Sequence, residues 1–106
     1  MNVRLVDDVY LDLRSAREWY DGKRDGLGDE FADLFFCIAR GLLDVSPHHS
    51  IDETGYRPLR MPRFTAVIYY DLTDSEIVIV GVLVNGRSGE NLRSRGKQVF
   101  YNSSRQ

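Results

Sequence analysis

The chain has 106 residues, 42% of them apolar and 28% charged, and a formal net charge of -2. That length predicts one domain over 1–106, with a core that needs neither metal nor disulfide staples. No run of about 18 apolar residues occurs, which excludes a membrane-spanning helix, and Cys37, the lone cysteine, excludes an intrachain disulfide.

The opening "MNVRLVDDVY" has acids where a signal peptide needs an apolar core, so a cytoplasmic location is expected. Within it, "NVRLV" at 2–6 reads as a first strand. Asp7 or Asp8 then offers an N-cap. Val9, Leu13, Ala16 and Tyr20 recur at spacings of 4, 3 and 4, which is one face of a helix, widened by Trp19. "DGKRDGLG" at 21–28 interrupts the pattern. Gly22 and Gly26 are read as freeing φ where the chain reverses, and Gly28 as leaving room for close approach. Trp19 and Tyr20 are expected to pack against Phe31 across this tip. Leu27, Phe31, Leu34, Phe35, Ile38, Leu42 and Val45 set the face of a second helix. Asp25, Asp29 and Glu30 favour the dipole at its start, and Pro47 stops it. Gly41 within it costs about 1 kcal/mol against alanine, which points to a close backbone contact. Cys37 on this helix reads as a small, semi-buried residue.

"SPHHSIDETG" at 46–55 is turn-rich and reads as a loop. "YRPLR" at 56–60 reads as a short strand, with Pro58 placing it at an edge. "FTAVIYYDL" and "EIVIVGVLV" read as a hairpin around "TDSE". The second of these strands is apolar at successive positions and is expected to be central. Periodicity then weakens, and residues 96–106 are expected to form a flexible tail. The order β-α-α-β-β-β predicts an α+β fold, a helical hairpin packed on one face of a small antiparallel sheet.

Charge is unevenly spread. Residues 1–55 carry net -6 and residues 56–106 net +4, the latter mostly from arginine. The split fits an anionic partner for the second half, or attraction between the two halves within the fold. Arg57, Arg60 and Arg63 open the strand region and Arg87 follows it, at ends that a meander can bring together. Guanidinium groups suit phosphate because they fork and stay charged. Candidates for accompanying acid–base work are Tyr69, Tyr70, Tyr101 and Lys97. Against this stands the plainer reading of strand-edge arginines and core aromatics. His48 and His49 lack a carboxylate or cysteine at ligand spacing and read as a solvated loop rather than a metal site. No phosphate-loop, dinucleotide or zinc-protease motif occurs, so no cofactor and no metal are expected.

"LRSAREWYDGKRDGLGDEFADLF", a proline-terminated helix, and "YRPLRMPRFTAVIYYDLTDSEIVIVGVLVNGR" together resemble the ParE branch of the RelE/ParE toxin superfamily. The similarity spans roughly residues 3–95. These are toxins of type II toxin–antitoxin modules, often called plasmid stabilisation proteins. The resemblance implies the same hairpin-on-sheet fold and a cognate antitoxin as partner; apolar surface left bare without that antitoxin is expected to make the isolated chain dimerise. It implies one of two activities: inhibition of DNA gyrase, or ribosome-dependent cleavage of mRNA. Many relatives have a histidine before the arginine after the last core strand; here the residues are Asn85-Gly86-Arg87. That departure and the net acidity favour a protein target and no catalytic site. Arg57, Arg60, Arg63, Arg87, Arg93 and Arg95 would then meet the target or antitoxin. As a nuclease, the chain would use Arg60, Arg63, Arg87 and Tyr101. A third reading is a non-toxic binding module.

Overall fold

The computed structural model describes residues 2–44 and 49–84. The elements are β1 (Asn2–Leu5), α1 (Asp7–Asp21), α2 (Leu27–Gly41), β2 (Arg57–Arg60), β3 (Ala66–Leu72) and β4 (Glu76–Val84). This is the expected α+β order. The sheet order is β1-β4-β3-β2. The meander β2-β3-β4 is antiparallel, whereas β1 lies parallel to β4, with Leu5 opposite Ile79. The sheet is therefore mixed, and the expected all-antiparallel arrangement holds only for three strands. Parallel neighbours need a long crossover, and here both helices and two strands lie between the partners.

α1 buries Val9, Leu13, Ala16 and Tyr20, the face set by their spacing. Its N-cap is Val6, in extended conformation, not Asp7 or Asp8. Both acids lie in the first turn, where they favour the helix dipole without a capping hydrogen bond. α2 buries Phe31, Phe35 and Ala39 on the side facing the core. It ends at Gly41, a turn earlier than the apolar rhythm predicts, with Leu42 still buried beyond it.

The tip of the hairpin uses its glycines differently. Gly26 has φ 86°, a left-handed conformation that favours glycine, whereas Gly22 has φ -65° and needs no such freedom. Gly28 is fixed by space: a Cβ there would lie 2.5 Å from the Arg17 carbonyl oxygen. A Cβ at Gly41 would meet nothing within 4 Å among the described residues, so the expected close contact is absent among them. Tyr20 stacks on Phe31 with ring centroids 5.0 Å apart, but Trp19 stays 49% exposed and does not join them. Cys37 is likewise exposed rather than semi-buried.

β4 is central, as its composition requires. Tyr69 pairs with Gly81 and Tyr70 with Ile79, so the register skips Val80. This bulge puts Ile77 and Ile79 on one side of Val80, and Val82 and Val84 on the other, opposite the half-buried Leu72 and the buried Tyr70, Ile68 and Ala66 of β3. Side chains of strict period two would have split that set between the two faces.

Candidate functional site: the arginines and the hairpin-tip groove

The three described arginines of the predicted set go to three different places. Arg57 starts β2 opposite Tyr70, on the core-facing side of the sheet. Its Nη1 donates to the His49 carbonyl oxygen at 2.6 Å, while its Nε is buried without a partner among the described residues. His49 in turn meets the Tyr70 hydroxyl through Nδ1 at 2.5 Å, edge-on to the phenol ring. His49 is thus a half-buried clamp on the β2–β3 edge, not part of a solvated loop. Burial pushes the Tyr70 hydroxyl above the ordinary tyrosine range, against the opposing pull of the His49 backbone and the Arg57 charge. Tyr70 is fully buried, so this trio braces the fold and presents no reactive oxygen to solvent.

Arg60, two strand positions on from Pro58 and opposite Val67, projects from the other face and is exposed. It lies near Tyr69, whose hydroxyl is pushed up by burial and by the charges of Asp52 and Glu53, with Arg60 opposing them. Arg63 sits in the β2–β3 turn with φ 72°. Its Nη2 donates to Glu30 Oε1 at 3.2 Å, and Glu30 Oε2 accepts from Arg24 at 3.0 Å. Arg24 first, and Arg63 after it, hold the Glu30 carboxyl below its usual range. Arg57, Arg60 and Arg63 therefore do not meet one another, and their expected approach to Arg87 falls outside the described residues. Strand alternation separates the first two, and the turn carries the third to α2. Arg87, Arg93, Arg95, Lys97 and Tyr101 lie outside the described residues.

Two open grooves flank the helical hairpin. One, of about 420 Å³, runs between α1 and α2 and is walled by Tyr10, Leu13, Arg14, Arg17, Ala32 and Phe36 among others. Tyr10 and Phe36 leave apolar surface in its walls, and Leu11 and Leu43 are exposed as well. The other, of about 430 Å³, lies at the hairpin tip, where Trp19, Lys23 and Leu27 face Arg63, Phe64 and Val84. Its floor is an aromatic cluster: Phe64 meets Tyr20 and Phe31 edge-on at 5.0 and 5.3 Å. The Lys23 ammonium rests 4.6 Å above the Trp19 ring.

Sequence reasoning missed Lys23 and Trp19 as site residues. Their spacing of four, one helical turn, was a local signal for the pair. Their meeting with Arg63 had no local signal, because 40 residues separate the two. Among the described residues no group of three side chains could hold a metal ion, and no helix is long and apolar enough to cross a membrane.

No family model matches the chain, and no curated protein matches it. Among solved structures, it is similar to a chain of a chromosomal ParDE toxin–antitoxin system from P. aeruginosa. The TM-score is 0.70 at 16% sequence identity, over 79% of this chain and 95% of that one. The chain thus has the fold of a ParDE-system chain, the hairpin-on-sheet architecture that its sequence resemblance implies.

Proposed function

We propose that the chain is a ParE-like toxin of a type II toxin–antitoxin module, that it binds a protein target such as DNA gyrase, and that a cognate antitoxin neutralises it. The observation that carries this reading is the likeness to a ParDE-system chain over nearly that chain's whole length. The dispersal of Arg57, Arg60 and Arg63 supports binding over cleavage. Phosphodiester cleavage needs donors aimed at one developing charge, and these three guanidinium groups serve separate parts of the fold. The apolar surface of Tyr10, Leu11, Phe36 and Leu43 supports a covering partner, the antitoxin in the cell or a second copy in isolation.

Three measurements test the proposal. Induction without antitoxin is expected to arrest growth, and purified protein is expected to inhibit gyrase supercoiling. Primer extension on translated message is expected to show no new cuts within codons. Such cuts would transfer the reading to a ribosome-dependent endoribonuclease. Unimpaired growth would leave a binding module without toxicity.

A further inference from the structure

We infer that the groove at the hairpin tip is a docking site for an acidic segment of a partner polypeptide that also carries an apolar anchor. Four observations on the molecule converge there. The described residues lining it include two cations, Lys23 and Arg63, and no acid. Its floor is apolar and braced by the Tyr20–Phe31–Phe64 cluster, so it is preformed rather than assembled by the ligand. Trp19 is half exposed, a large apolar surface left in water beside a charge. Arg63 occupies left-handed backbone, which strains a non-glycine residue. A glycine would make that turn without strain, and backbone outliers of this kind collect at binding sites.

The chemistry selects the occupant. An ammonium over an indole and a guanidinium beside a phenyl ring, 5.7 Å from its centroid, place charge at the edges of apolar surface. A ligand that matches must alternate carboxylate and apolar groups, which is what an acidic peptide with an aromatic or aliphatic residue does. Arg63 keeps donors beyond the one that it gives to Glu30, because a guanidinium carries five. Nucleic acid fits poorly. Glu18, Asp21, Asp25 and Asp29 on the same hairpin would repel a polyphosphate backbone, whereas one or two carboxylates can be met locally. The inference holds whichever protein the chain poisons, so it stands apart from the proposed toxin activity.

Trp19 is the only tryptophan and lines the groove, so its fluorescence reads occupancy directly. The probe is the synthetic peptide GDFDLG with blocked ends, titrated into the full chain. A saturable shift in Trp19 emission is expected, with a dissociation constant on the order of 100 µM or tighter. The same peptide with asparagines for aspartates, and the double variant K23E/R63E, are each expected to weaken it about tenfold or more. Lys23 and Arg63 are exposed, so the variants should keep the fold, checked by circular dichroism; the milder K23Q/R63Q tests the same point if the reversal unfolds the chain. The inference is overturned by an unchanged emission, by equal binding of the acidic and amide peptides, or by equal binding to wild type and charge variants. An equal response to a short oligothymidylate would overturn it in favour of a phosphate site. A shift on raising protein concentration alone would overturn it in favour of a second copy.

Discussion

At the scale of single residues, the two glycines of α2 make opposite predictions from one physical rule. Gly28 is packed against backbone: an alanine Cβ would press on the Arg17 carbonyl oxygen and on the Asp21 carboxylate, 2.9 Å away. Backbone cannot swing aside as a side-chain end can, so Gly28→Ala should destabilise by roughly 1–3 kcal/mol, the usual cost of overpacking. Gly41 meets open space among the described residues. There only propensity acts, and Gly41→Ala should stabilise by up to about 1 kcal/mol. Urea denaturation of both variants checks the pair; a shared sign would refute the spatial account of Gly28. The sequence placed both glycines in a helix but could not tell them apart, because the difference lies in what the other helix brings near.

At the scale of elements, the hairpin is closed by a cap that crosses it. Gly26, the N-cap of α2, has no side chain to offer its first turn. The orphan N–H of Gly28 instead donates to Asp21 Oδ1 at 2.8 Å, from the end of α1. Arg17 and Asp29 add an ion pair across the same gap, but both are exposed, and such pairs contribute little. Asp21→Ala should therefore cost about 0.5–2 kcal/mol, the range for losing an N-cap, and Asp21→Asn, which keeps an acceptor, less. Arg17→Ala should be near neutral. Thermal melts of the three variants decide it; equal losses for Asp21→Ala and Arg17→Ala would mean that the ion pair, not the cap, closes the tip. In the sheet, the β-bulge at Val80 explains why "EIVIVGVLV" shows no clean alternation. The strand changes face once, and its apolar residues are needed on both sides of that change.

At the scale of the whole molecule, three tyrosines tie stability to alkaline pH. Burial raises the hydroxyls of Tyr56, Tyr69 and Tyr70 above their ordinary range. In the unfolded chain they ionise near pH 10. Above that pH the unfolded state holds fewer protons than the fold, so stability complete below about pH 10 falls as pH rises through the folded-state values. The denaturation midpoint should drop as pH rises above about 10, with tyrosinate absorbance rising in step with unfolding. Tyr69→Phe should flatten part of that slope. A midpoint unchanged over this window would show that the three hydroxyls titrate alike in both states.

Period and punctuation alone determined the element order, the buried face of α1, the central place of β4 and the membership of Tyr20, Phe31 and Phe35 in the core. These depend on spacing along the chain, and spacing is what a sequence displays. Only the tertiary structure decided that β1 runs parallel to β4, that His49 clamps Tyr70, that Arg57, Arg60 and Arg63 part company, and that Lys23 and Arg63 share one groove. Each of those outcomes joins residues from separate elements. Their relative placement is set by how faces pack and by which side of a strand a side chain takes, and one bulge or one turn is enough to change it.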